Sequence, residues 1–210
     1  MSESRAAAGS AAAADKAERP GAIILARHGE PALSRKVRLS AQGYRAWWAK
    51  YEAGGIRSDQ EIPAQILAMA GKAGFIIAST RARSIETAKA LARGRAVAED
   101  PMFIEAPLPP PNLPSWLRLS PRAWGFVSRI SWWFFHGHGE ESRPTAQERA
   151  DEAARQLADL AVGGHDVLVV AHGFFNSMVG RSLRRRGWRL TLDQGFRYWS
   201  ARRFEANPSA

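Results

Sequence analysis

The chain contains no cysteine. That absence removes disulfides, thiolate nucleophiles and cysteine-based zinc sites together, and it suits a reducing compartment. Histidine, arginine and the carboxylates are left to do any chemistry. No stretch approaches the roughly 20 consecutive apolar residues of a membrane-spanning helix, so no transmembrane segment is expected. Acid is the scarcer charge: 20 Asp and Glu against 30 Lys and Arg give a net charge of +10. Such a surplus fits nucleic acid, an anionic membrane surface or phosphorylated ligands. Its densest run, Arg181, Arg184, Arg185, Arg186 and Arg189, lacks the pattern of a recognition motif and reads as a solvated helix end, where cations suit the dipole. Nucleic acid is therefore not an expected partner. The first 20 residues lack the apolar centre of a secretory signal. They are rich in Ala and Ser with charges interspersed, and read as a disordered tail on a cytoplasmic protein.

A hydrophobic content of 45% over 210 residues suits one α/β domain with a full core, placed at residues 21–207. Three apolar runs, Ala22 to Ala26, Phe75 to Ala78 and Val167 to Ala171, read as buried parallel strands. Each stops abruptly in a polar segment: Arg27-His28-Gly29-Glu30, then Ser79 to Arg83, then His172-Gly173. Ligands of open α/β sheets bind beyond the carboxyl ends of the strands, so these ends deliver cations and imidazoles to one edge. Arg27, Arg83 and the histidines suit a phosphate there, and Gly29 lets the backbone approach closely.

Between the strands the spacing predicts helices. Ser40 is a candidate N-cap, followed by Tyr44, Trp47, Trp48 and Tyr51 on one helical face as core, with Gly54-Gly55 as the stop. Pro63 to Lys72 reads as a second helix, and Ile85, Ala88, Leu91 and Ala92 as the buried face of a third. Val97 to Pro101 reads as a short edge strand, and Thr145-Ala146-Gln147-Glu148 as a capping box opening a helix to Ala161, with Ala153, Ala154, Leu157 and Leu160 inward. Phe174 to Leu183 returns as a helix, and Phe196, Tyr198 and Phe204 are expected to close an edge strand.

Residues 115–139 are apolar nearly all round as a helix: Phe126, Ile130, Trp133 and Phe134 share one face, and Trp124, Val127, Trp132 and Phe135 cover much of the rest. Such a segment is either buried or meets something. It reads as a helical cap over the mouth of the site, with contact to a partner or a membrane interface as the alternative. His136-Gly137-His138 lacks a third ligand at metal spacing and reads as a mobile loop, so neither metal nor cofactor is expected.

The ordered set Arg27-His28-Gly29, Leu39-Ser40-Ala41-Gln42-Gly43, Ser79-x-x-x-Arg83-x-x-x-Thr87-Ala88 and His172-Gly173 resembles the histidine phosphatase superfamily, the phosphoglycerate-mutase-like fold. Glu141-Ser142 and Arg149 resemble that family's Gly-Glu-Ser and Arg. The resemblance implies a three-layer α/β/α sandwich with a mostly parallel central sheet and a small helical cap, here within residues 105–145. It implies His28 as the nucleophile that becomes a phosphohistidine, with Arg27, Arg83 and His172 on the phosphoryl oxygens and Glu105, after Met102-Phe103-Ile104, as the proton donor. The proline-rich stretch after Glu105 departs from the segment common mutases carry there. Pro31 and Ser34 stand where mutases usually carry a small or hydroxyl residue and an Asn. The expectation is a phosphomonoesterase for a small phosphorylated metabolite or a phosphoprotein. A non-catalytic module that binds phosphorylated ligands, or a mutase-type phosphotransferase, is the alternative.

Overall fold

The structure is a computed structural model that describes residues 19–107, 110–134 and 141–207. Its centre is a six-stranded sheet: β1 (Ile23–Arg27), β2 (Phe75–Ala78), β3 (Ala98–Glu99), β4 (Val167–Ala171), β5 (Trp188–Asp193) and β6 (Ala201–Ala206), in the order β3-β2-β4-β1-β6-β5. β4 pairs in parallel with both β1 and β2, and β2 with β3, whereas β6 runs antiparallel to β1 and β5 antiparallel to β6. The fold is thus mixed α/β with a mostly parallel sheet. β4 is buried at every residue because helices cover both of its faces, which is why it reads as an unbroken apolar run rather than an alternation.

Side-chain alternation divides the core. Ile23, Leu25, Val167, Val169 and Phe204 point to the layer holding α5 (Arg143–Ala161) and α6 (Gly173–Arg185). Ile24, Ala26, Leu168 and Val170 point to the other, which holds α2 (Ala64–Lys72) and α3 (Ala82–Ala92). α5 can lie close because its buried stripe is almost all alanine: Ala146, Ala150, Ala153, Ala154 and Ala161 around Leu157. Outside both layers, α1 (Ala41–Ala53) packs with α4 (Pro121–Phe134) in a third cluster of Tyr44, Trp47, Tyr51 and Trp124. Of the two, α4 is the helix that falls in the expected cap segment, residues 105–145. Of the aromatic stripe of α1, Tyr44, Trp47 and Tyr51 are buried as expected and Trp48 only partly, and the stripe packs against α4 rather than against the sheet.

Several expectations are corrected. α5 begins a turn before Thr145: Ser142 is the N-cap, its hydroxyl accepting from the Thr145 N–H at 3.3 Å, with Pro144 in the first turn, where its missing N–H costs nothing. Leu160 faces solvent, and Ala161 takes the inward place. The edge strand after α3 is only Ala98–Glu99, because Asp100 caps a 3-10 turn at Pro101–Phe103. Phe204 lies in β6, inside the sheet, while Phe196 and Tyr198 sit in the β5–β6 connection; the edge is β5. On α4 the buried face is Pro121, Trp124, Ser128 and Trp132, and the face carrying Phe126, Ile130, Trp133 and Phe134 is exposed. Residues 1–18 of the N-terminal tail, Phe135 and the His136–His138 loop lie outside the described residues.

Candidate active site

Strand register builds the site. Arg27 of β1 lies opposite Ala171 of β4, so the next residues, His28 and His172, emerge side by side at the carboxyl edge, with ring centroids 5.3 Å apart. On the other flank of β4, Ala78 pairs with Val170, which brings Ser79 and the start of α3 to the same edge. Arg27, His28, Arg83, Glu105 and His172 then line one cleft of about 680 Å³.

The state of His28 follows from its hydrogen bond. Nδ1 lies 2.7 Å from the Gly29 carbonyl oxygen, which can only accept, so Nδ1 carries the proton and Nε2 keeps its lone pair. Burial, and then the charges of Arg83 and Arg27, hold the ring well below the usual imidazole range, so the ring is neutral. His172 is held below that range as well, by burial first and then by Arg83 and His28. Its Nδ1 accepts from Arg83 Nη2 at 3.4 Å, which leaves Nε2–H to donate to Ser79 Oγ at 3.0 Å.

Arg83 is almost completely buried, with 1% of its surface exposed. Its guanidinium is aimed by the Tyr51 carbonyl (3.0 Å), by the Glu52 carboxylate (2.7 Å) and by the Tyr51 ring, over which it stacks at 4.6 Å. Arg27 donates to the Phe196 carbonyl and stacks on Tyr198 at 4.4 Å. Among the described residues, the buried Nε atoms of Arg27, Arg35 and Arg83 have no hydrogen-bond partner. Arg27, Arg35 and Arg83 all line the cleft, and a cleft walled by cations suits an anion.

Glu105 sits at the start of α6. Its Oε1 accepts from the Phe175 N–H at 2.9 Å and the Ala106 N–H at 3.2 Å, and its Oε2 from the Phe174 N–H at 3.4 Å. The loop that carries it is tied down by Arg149, which donates to the carbonyls of Met102 and Ile104 at 2.6 and 3.0 Å and forks onto Glu141 at 2.7 and 2.8 Å. Gly29 does not line the cleft. A Cβ there would meet the Trp199 ring at 2.7 Å, and its N–H donates to Thr87 Oγ1 at 2.9 Å. Its part is close packing and the carbonyl that fixes His28.

Ser79, Arg83 and Thr87 are fully buried: Ser79 lies in the connection between β2 and α3, against His172, while Arg83 and Thr87, four residues apart, share one face of the first turns of α3, toward the cleft and Gly29 respectively. Sequence reasoning missed Glu52, Arg35, Arg122, Arg129 and Tyr198. Arg122, Arg129, Arg35 and Tyr198 line the cleft, and Glu52 pairs with both Arg83 and Arg81. None carries a local signal, since only the packing of α1, α4 and the β5–β6 connection brings them to the strand ends. Among the described residues no group of three His, Asp or Glu could hold a metal ion.

The model of the histidine phosphatase superfamily (branch 1) matches residues 23–197. The chain belongs to that superfamily. A search of curated proteins finds no match. Among solved structures, it is similar to phosphoglycerate mutase from Bacillus anthracis, with a TM-score of 0.56, 16% identity and coverage of 90% of this chain and 89% of that one. It is also similar to phosphoserine phosphatase from Entamoeba histolytica in complex with 3-phosphoglyceric acid, at TM-score 0.53, 16% identity and coverage of 90% and 98%. The product of an open reading frame of Mycobacterium tuberculosis aligns at TM-score 0.52 and 22% identity, over 87% and 90%. These likenesses establish the histidine phosphatase fold, shared by phosphatases and mutases.

Proposed function

We propose that this histidine phosphatase is a metal-independent phosphomonoesterase that works through a phosphohistidine on His28. The observation that carries the reading is the state of His28: Nδ1–H is held by the Gly29 carbonyl, and the ring is buried and neutral. A nucleophilic imidazole needs a free lone pair, and a cationic cleft supplies an anionic phosphorus centre to attack. Nε2 attacks phosphorus in line, the bond to the leaving oxygen breaks, and the Glu105 carboxyl group transfers its proton to that oxygen. The Glu105 carboxylate then takes a proton from water, whose oxygen attacks phosphorus. The P–N bond breaks, releasing phosphate and restoring the imidazole.

Arg27 and Arg83 meet two of the equatorial oxygens, the Nε2–H of His172 exchanges its bond to Ser79 Oγ for the third, and Arg35 adds charge at the rim. Fixed donors aimed at developing charge are the largest source of acceleration in such transfers, and here they make a metal unnecessary. Hydrolysis is favoured over mutase chemistry by Pro31 and Ser34 at positions where mutases usually differ. The substrate is a small phosphorylated metabolite or a phosphoprotein, selected by the cap within residues 105–145 of a domain spanning 21–207, in a cytoplasmic protein.

The test is hydrolysis of p-nitrophenyl phosphate by the wild type and by His28→Ala. The wild type should turn over and the variant should not, while its fold, judged by circular dichroism, stays intact. Tight binding of inorganic phosphate without turnover of any phosphomonoester would instead mark a non-catalytic binding module.

A further inference from the structure

Helix α4 is apolar on two opposite faces. One face, Pro121, Trp124, Ser128 and Trp132, is buried. The other carries Phe126, Ile130, Trp133 and Phe134 at i, i+4, i+7 and i+8, a single stripe, and these side chains are 67%, 43%, 37% and 70% exposed. Trp116, in the segment leading into the helix, is 78% exposed. Monomeric proteins rarely leave so many large apolar side chains contiguous in water, and such a patch marks a surface that meets something.

The charges around the stripe say what it meets. Residues 110–134 contain no Asp or Glu, and their cations are Arg118, Arg122 and Arg129. Arg122 continues the stripe one turn before Phe126 and is exposed. Arg143, at the start of α5, lays its guanidinium 3.5 Å over the Trp133 ring and, with Trp133 and Phe134, borders a groove of about 380 Å³. No Asn, Gln, Thr or His stands on the exposed face of α4, so it offers no directional neutral side-chain groups to fix the register of a folded partner. Aromatic and aliphatic side chains fringed by arginine suit a fluid apolar layer beneath a negatively charged surface. The rings and Ile130 enter the acyl boundary, and the guanidinium groups remain among the headgroup phosphates.

We infer that the exposed face of α4, from Arg122 to Phe134, docks on an anionic phospholipid bilayer. Because Phe126 and Arg122 also line the catalytic cleft, docking sets the mouth of the site beside the lipid surface. Nothing crosses the bilayer in this arrangement: no described helix is long and apolar enough to do so. The inference is independent of the chemistry assigned to His28.

The test is co-sedimentation of the full chain with phosphatidylcholine vesicles, with and without 30 mol% phosphatidylglycerol as a fixed experimental composition. The comparison is between the wild type and Ile130→Ser/Phe134→Ser, which keeps every charge. The wild type should partition onto the anionic vesicles and not onto neutral ones. The double variant, with an unchanged thermal melt since both positions are exposed, should bind at least tenfold more weakly. Arg118→Glu/Arg143→Glu should weaken binding as well. Failure of the wild type to bind, as a protein-docking face would give, overturns the inference. So does undiminished binding of the double serine variant, which would mean that net charge alone attracts the protein. A wild-type dimer that the double variant dissociates would make the stripe a contact between copies of the chain and would overturn it too.

Discussion

The proposed mechanism requires a histidine that stays neutral among the cations that would hold a phosphoryl group. Here burial and the neighbouring arginines together keep both His28 and His172 well below the usual 6.5. A buried neutral ring carries a stability cost in acid, because the unfolded chain takes up protons that the folded chain refuses. The stability contributed by these rings is fully present above about pH 6.5 and is lost as pH falls below it, at up to about 1.4 kcal/mol per pH unit for each ring. Denaturant unfolding between pH 7.5 and 5 should therefore show stability falling with acid, with a shallower slope for His172→Gln, which removes one of the two rings. Equal slopes would contradict the burial argument. For Glu105 the expected outcome concerns the leaving group. Glu105→Gln should slow alkyl phosphates about 10²- to 10⁴-fold and p-nitrophenyl phosphate far less, since that leaving oxygen needs little protonation. Equal slowing of both would remove the proton-donor role from Glu105. It would move the role to Glu140 or Glu141, and the same leaving-group comparison on those two residues would decide between them.

At this scale the residues at strand ends were legible because an apolar run broken by a charged or aromatic polar residue has few other readings. The supporting residues were not. Glu52 is an ordinary acid near the end of α1 and Arg35 one cation in a charged loop, whereas only its resemblance to a family motif picks out Arg149. Each gains its part through long-range contacts: Glu52 to Arg83, Arg35 to Tyr198 at 2.8 Å, and Arg149 to the loop before Glu105.

Among the elements, α1 and α4 form a unit held apart from the sheet. Tyr44 stacks on both Trp47 and Trp124, and Trp124, fully buried, donates from Nε1 to the Leu39 carbonyl at 2.6 Å. Residues Leu39 and Leu119 are joined by an isolated antiparallel bridge. Removing a buried Trp side chain costs about 3–5 kcal/mol, but a satellite cluster can open while the main core holds. Trp124→Ala should therefore speed hydrogen exchange in residues 39–53 and 119–134 while leaving protection of β1 and β4 close to wild type. Uniform loss of protection across the sheet would show that the cap is not a separate unit. The sequence pattern identified both helices but could not say that they pack on each other. An aromatic stripe looks the same whether it meets a sheet or another helix, and α4 is apolar on both faces. Helix starts were likewise misjudged where two hydroxyl residues competed: Ser142 caps α5 because Pro144 fits the first turn that follows it.

For the whole molecule, a central β4 flanked by β1 and β2 explains how groups from three distant parts of the chain reach one cleft. The order of the strands was not legible beyond their parallel character. The two antiparallel strands were obscured because β5 and β6 are half exposed, and alternating exposure with several arginines hides their apolar face. Phosphate neutralisation by fixed cations predicts full activity after exhaustive EDTA treatment and inhibition by vanadate, which can mimic five-coordinate phosphorus. Activity lost in EDTA and restored by a divalent cation would refute it.

The most direct measurement is acid-free rapid quenching of the wild type during turnover of a phosphomonoester, followed by mass spectrometry of its peptides. The account predicts phosphate on Nε2 of His28, stable in base, labile in acid, and formed no more slowly than the steady-state rate. Steady turnover with no phosphate on His28, or phosphate carried on another residue, would contradict it.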